Sequence, residues 1–191
     1  MSNKKVPMLN RHIRALSERL VQGEPLTHNM LSWAKQHVEW SLAEGDYTAH
    51  DGVLMLVIDV NGNAAMTVGE YEPLVDTSAK ALRARSAEAR SEADETGVAP
   101  ELLAAVNDGE LAFVAPADEC LCGTATLIEQ LAQTKGIPVT RVDIPAQLKG
   151  ALFLVSDEHG VVPAADADAA ESDAATVAFF ADGYEKLRAR R

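Results

Sequence analysis

Two apolar runs, each turned back on itself at an Asn/Asp–Gly step, set the tightest limit on how this chain can fold. Residues 53–58, Val-Leu-Met-Leu-Val-Ile, are followed by Asn61-Gly62 and a returning stretch over 63–71. Residues 102–106 and 111–115 flank Asn107-Asp108-Gly109 in the same way. Asn, Asp and Gly tolerate the positive φ of a tight hairpin connection, so both segments read as β-hairpins. The run over 53–58 is continuously apolar rather than alternating, which predicts a buried strand.

Helical spacing surrounds these hairpins. Ile13, Leu16 and Leu20 predict a helix over 9–20 that Gly23 and Pro25 break, and Met30, Leu31, Ala34, Val38 and Leu42 predict one over 27–43 that Gly45 stops. Residues 80–95 are rich in Ala, Arg and Glu, so they are helical by propensity with only Leu82 to bury. Leu127, Ile128 and Leu131 mark a helix ending at Gly136, and Val177, Phe180, Tyr184 and Leu187 a last one. Between them, 139–144 and 152–155 read as short strands around a polar turn, and the Ala/Asp-rich 164–175 as either a solvated surface loop or a partly disordered stretch. The order gives an α+β fold in two small lobes, residues 1–75 and 76–191, dividing near 73–80.

A chain of 191 residues, 47% hydrophobic, can build such lobes. Its net charge of −12 sets it against phosphate backbones and anionic membrane surfaces, so neither nucleic acid nor membrane is an expected partner. No apolar run approaches the roughly 20 residues that span a bilayer, and the polar start lacks the core of a signal peptide. A cytoplasmic protein is the expectation.

Chemistry has few places to sit. Gly123-Thr124-Ala125-Thr126 opens a helix, where unpaired N–H groups and the helix dipole attract an anion such as phosphate; Thr124 or Thr126 acting only as a cap is the alternative. Lys80 follows Asp76-Thr77-Ser78-Ala79 at the join of the lobes, where a shielded amine would be a Schiff-base nucleophile and a solvated one would be inert. Cys120 and Cys122 are too close for a zinc pair, the five histidines are scattered, and no metal site emerges. His159, in Ser156-Asp157-Glu158-His159-Gly160, lies in either a functional loop or a plain polar turn. Trp33 and Trp40, seven apart on one helix, fit core or interface.

The stretch Cys120-Leu-Cys-Gly-Thr-Ala-Thr-Leu-Ile-Glu-Gln-Leu-Ala-Gln-Thr-Lys-Gly-Ile-Pro-Val139 resembles the "leucine-proline-glycine-isoleucine-threonine, helix, glycine-isoleucine-x-valine" stretch of the class IV aminotransferases, the fold-type IV pyridoxal-phosphate enzymes. Residues 9–16 resemble the family's "His-x-x-Arg-Leu" helix, and His159-Gly-Val-Val-Pro163 the segment closing its phosphate site. The resemblance implies a truncated, divergent relative of that fold. It implies pyridoxal phosphate as cofactor, Lys80 as the catalytic amine, and Gly123, Thr124 and Thr126 around the phosphate. An amino acid or keto acid substrate and a homodimer, or a complex with a homologue, follow from it too. The sequence departs from the family where reactivity is set. The glutamate for the pyridine nitrogen should lie four residues after a turn glycine, but Phe113 and Met66 stand there, and neither keeps the ring protonated. Asp157 stands at the small or hydroxyl residue of the second phosphate loop, and only eleven residues precede His12. A minimal enzyme, a non-catalytic partner subunit and an unrelated acidic α+β protein are the three readings this leaves.

Overall fold

The computed structural model describes residues 5–45, 52–59, 63–96, 98–143, 145 and 148–189. Contacts group the chain into two units, Met1–Glu72 with Leu187–Arg191, and Pro73–Lys186. Five helices and mixed sheets among the described residues make an α+β fold.

The first unit begins with α1 (Leu9–Ser17), three residues shorter than its periodicity suggests. Gln22 and Gly23, both at positive φ, turn the chain there, and Leu20–Val21 (β1) pairs with Glu24–Pro25 (β2). Helix α2 (His28–Glu44) starts where the Thr27 hydroxyl accepts the Met30 N–H, and buries Ala34, Val38 and Leu42. Strands β3 (Gly52–Ile58) and β4 (Ala64–Glu70) pair antiparallel in unbroken register. The carboxylate of Asp59 closes their connection by accepting the Asn63 N–H and side-chain amide at 2.8 and 2.9 Å. The turn expected at 61–62 lies outside the described residues. The expected burial of β3 is corrected: Met55 and Val57 are 50% and 44% exposed. A two-stranded ribbon has two faces, and alternate side chains of β3 point away from whatever covers the other.

The second unit is a sheet in the order β7-β6-β5-β8-β9, formed by Val139–Val142 (β7), Glu110–Val114 (β6), Leu102–Asn107 (β5), Ala151–Ser156 (β8) and Gly160–Pro163 (β9). All neighbours are antiparallel except β6 and β7, which α4 (Gly123–Thr134) links as a crossover. Strands 139–142 and 151–156 therefore do not pair with each other, as a simple turn between them would suggest; β5 and β6 lie between them.

Strict alternation sends the sheet's side chains to two cores. Leu102, Ala104, Val106, Phe113, Phe153 and Val155 pack against Ala125, Ile128 and Ala132 of α4 and Val177 and Phe180 of α5 (Glu171–Arg188). Leu103, Ala105, Leu152 and Leu154 face the other way, against Leu82 of α3 (Ala79–Thr96). Helix α3 thus covers one face, and α4 with α5 the other.

Two acidic residues expected in solvent hold backbone instead. Asp173 is 3% exposed and accepts the N–H groups of Asp108 and Gly109 at 3.0 and 3.1 Å. Those turn residues sit at φ 51° and 76°, so their N–H groups are not used by the β5–β6 ladder and a carboxylate satisfies both. Asp166 accepts the Ala79 N–H at the start of α3. Residues 171–175 are accordingly helix rather than loop.

Candidate functional site

Strand β8 is buried along its whole length, so the first polar groups that can reach a site come at its end, Asp157-Glu158-His159. The turn is held by the Ser156 hydroxyl, which accepts the His159 N–H at 2.9 Å. Gly160, at φ 74°, ends it; a Cβ there would meet the Tyr184 ring of α5 at 2.3 Å, so only glycine lets the two approach.

The N-terminus of α4 faces this turn. The carboxylate of Asp157 accepts the Gly123 N–H at 3.2 Å and the Thr124 N–H at 2.7 Å. Two of the helix's orphan donors, and the positive end of its dipole, are therefore satisfied by the protein's own anion. The cap is Cys122, not Thr124 or Thr126: its sulfur accepts the Ala125 N–H, while the Thr126 hydroxyl donates back to the Gly123 carbonyl at 2.8 Å. Burial, and then the neighbouring Asp157 charge, push the Cys122 thiol well above its ordinary pKa. Thr124 is completely buried, and its hydroxyl has no hydrogen-bond partner.

Gly123, Thr124 and Thr126 thus lie together on one helical turn, and Lys80 is not brought to them. Lys80 is exposed on the first turn of α3, on the opposite face of the sheet. Its neighbour Ala79 bonds Asp166, beyond β9 and toward the start of β8, whereas Asp157 follows the end of β8. A cavity of about 440 Å³ beside Ala79 and Arg83 is lined, among the described residues, by Asp108, Asp166, Asp168 and Asp173 against the cations Arg83 and Lys149. Phe113 is fully buried in the core with Phe153.

A second cluster lies at the same end of β8, and the sequence pointed only to its Glu158-His159 part, as a candidate functional loop or polar turn. Glu101, just ahead of β5, accepts Arg85 Nε on Oε2 at 2.5 Å and turns Oε1 toward His159 Nε2 at 3.5 Å. Glu158 Oε1 lies 3.9 Å from the same nitrogen. Glu101 itself shows along the chain as no more than one acid before an apolar strand, since the register Leu102↔Val155 is what brings 101 beside 158–159.

Replacing Asp157 with Ala removes the acceptor for two α4 N–H groups and should lower stability by about 0.5–2 kcal/mol, read from urea unfolding. The Cys122 thiol holds its proton more tightly folded than unfolded. The stability this lends is full below the ordinary thiol range near ~8.5 and falls as pH rises above it, by at most about 1.4 kcal/mol per pH unit. Alkylation of the native protein should modify the half-buried Cys120 and reach Cys122 only on unfolding, as peptide mass mapping would read.

No protein-family model matches the sequence, and no curated protein matches it. Solved structures do. A hypothetical aminotransferase from Mycobacterium tuberculosis, with α-ketoglutarate and PMP bound, superposes with a TM-score of 0.62 at 14% identity, over 98% of this chain and 87% of that one. A fold IV transaminase from Curtobacterium pusillum gives 0.59 at 16% identity, over 99% and 81%. A Legionella pneumophila protein assigned as a 4-amino-4-deoxychorismate lyase gives 0.60 at 10% identity, over 96% and 88%. Identity this low speaks to architecture. The chain has the fold of the fold-type IV aminotransferases and 4-amino-4-deoxychorismate lyases, at 10–16% sequence identity to these three structures.

Proposed function

We propose that this chain is a non-catalytic relative of the fold-type IV enzymes, acting in the cytoplasm as a binding or assembly partner for a second chain of the same fold, identical or homologous. The observation that carries the reading is the Asp157 carboxylate on the Gly123 and Thr124 N–H groups. Pyridoxal phosphate does not fit there. Its phosphate would need the two donors Asp157 already holds, and each unit charge about 4 Å from that carboxylate would cost from ~1 kcal/mol in water to ~4 kcal/mol near a protein surface. Lys80 on the far face and Phe113 in the core support the same conclusion. For the partner role, the support is in the first unit. Trp33 and Trp40 of α2 are 42% and 60% exposed, and large exposed indoles are the side chains that anchor interfaces.

One observation favours the enzyme reading instead. The Thr124 hydroxyl is buried without a partner, a cost of about 1–3 kcal/mol that a ligand oxygen would relieve. In that reading Lys80 is the catalytic amine, Gly123, Thr124 and Thr126 hold the phosphate, and an amino acid or keto acid is the substrate.

A cofactor-addition absorbance scan with borohydride trapping separates the two. We expect no visible band and no modified lysine; a band that Lys80→Ala abolishes overturns the non-catalytic reading. Sedimentation over a range of concentrations, alone and with a catalytic fold-type IV chain, tests the partner role. Association weakened by the double change Trp33→Ser and Trp40→Ser is the expected result, and a monomer under every condition overturns it.

A further inference from the structure

We propose that Glu101, Glu158 and His159 form a binding site for a divalent transition-metal cation, best matched to zinc. The three offer one ligand atom each, Glu101 Oε1, Glu158 Oε1 and His159 Nε2, and all lie within 4.8 Å of one another. Glu101 is only 8% exposed, and its Oε1, the atom turned toward His159, is buried without a hydrogen-bond partner. A buried carboxylate oxygen left that way is costly, and a cation is the ligand that removes the cost.

The two spacings from His159 to the carboxylates separate zinc from magnesium. Tetrahedral zinc with bonds near 2.0–2.2 Å needs its ligand atoms about 3.4 Å apart, while an octahedral ion such as magnesium at 2.0–2.1 Å needs adjacent ligands about 2.9 Å apart. The imidazole stands 3.5 Å from one carboxylate and 3.9 Å from the other, close to the tetrahedral spacing. An imidazole nitrogen with two carboxylates also suits zinc better than calcium or magnesium, which prefer oxygen alone. Three protein ligands leave a fourth position for water.

The surroundings are built to hold such a set. Arg85 takes the other oxygen of Glu101, and the Ser86 hydroxyl donates to the Glu101 carbonyl while accepting the Leu103 N–H, fixing the residue at the head of β5. His159 has 4% of its side chain exposed and is held by Ser156, whereas the Glu158 side chain, 38% exposed, gives the ion a way in. Two carboxylates against one guanidinium leave a net negative site on a protein of net charge −12. The inference is independent of whether the fold holds any organic cofactor.

Zinc titration of the chelator-treated full chain by calorimetry tests it. The expected result is one saturable site, lost in His159→Asn and strongly weakened in Glu158→Gln. Arg85→Gln, which removes a group that orients a ligand, should weaken it 10–100-fold. Glu158 is exposed, so its variant keeps the test valid if His159→Asn fails to fold. Glu95→Gln on α3 should bind as the wild type does. Absence of saturable binding, binding unchanged in Glu158→Gln, or binding that disappears in Cys120→Ser instead overturns the proposal and leaves the cluster an ion-pair network alone.

Discussion

Burial of β5 and β8 on both faces governs the rest of this structure. With α3 on one side and α4 and α5 on the other, every side chain from Leu102 to Val106 and from Ala151 to Val155 goes into one of two apolar cores. A charge in the middle of either strand would be stranded without water or partner, so polar chemistry is driven to the strand ends. At one end lie Glu101, Ser156, Asp157, Glu158 and His159; at the other, the Asp108–Gly109 turn and Asp173.

The acidic composition takes on structural meaning in that frame. Several carboxylates do not simply face solvent but accept backbone N–H groups that secondary structure leaves over. Asp157 serves α4, Asp173 serves the β5–β6 turn, Asp166 serves α3, and Asp59 serves the connection after β3. The Asp157 contact has a functional consequence as well. A helix N-terminus whose first donors are held by an internal carboxylate no longer has those two N–H groups free for an external anion.

Cys122 illustrates how closely that corner is packed. Its thiol is both the helix cap and a neighbour of the Asp157 charge, in a position where a thiolate would be desolvated and repelled. It is therefore a structural thiol rather than a nucleophile. Thr124 beside it is the one side chain of the corner left unsatisfied.

Local sequence settled much of the architecture. Helix-period stripes located α1, α2, α4 and α5, Ala/Arg/Glu composition located α3, the Asn107-Asp108-Gly109 turn marked the β5–β6 hairpin, and Gly123 marked the start of α4, because each depends on side chains a few residues apart. What sequence spacing could not settle was which elements become neighbours. That β7 lies on β6 rather than β8, that 160–163 adds an edge strand, that Lys80 falls on the opposite face from Gly123, and that Glu101 meets His159 all follow from strand register and from the covering of two sheet faces. Such pairings join residues tens of positions apart. They are chosen by how the whole sheet buries its apolar sides, a property no single stretch of the chain carries.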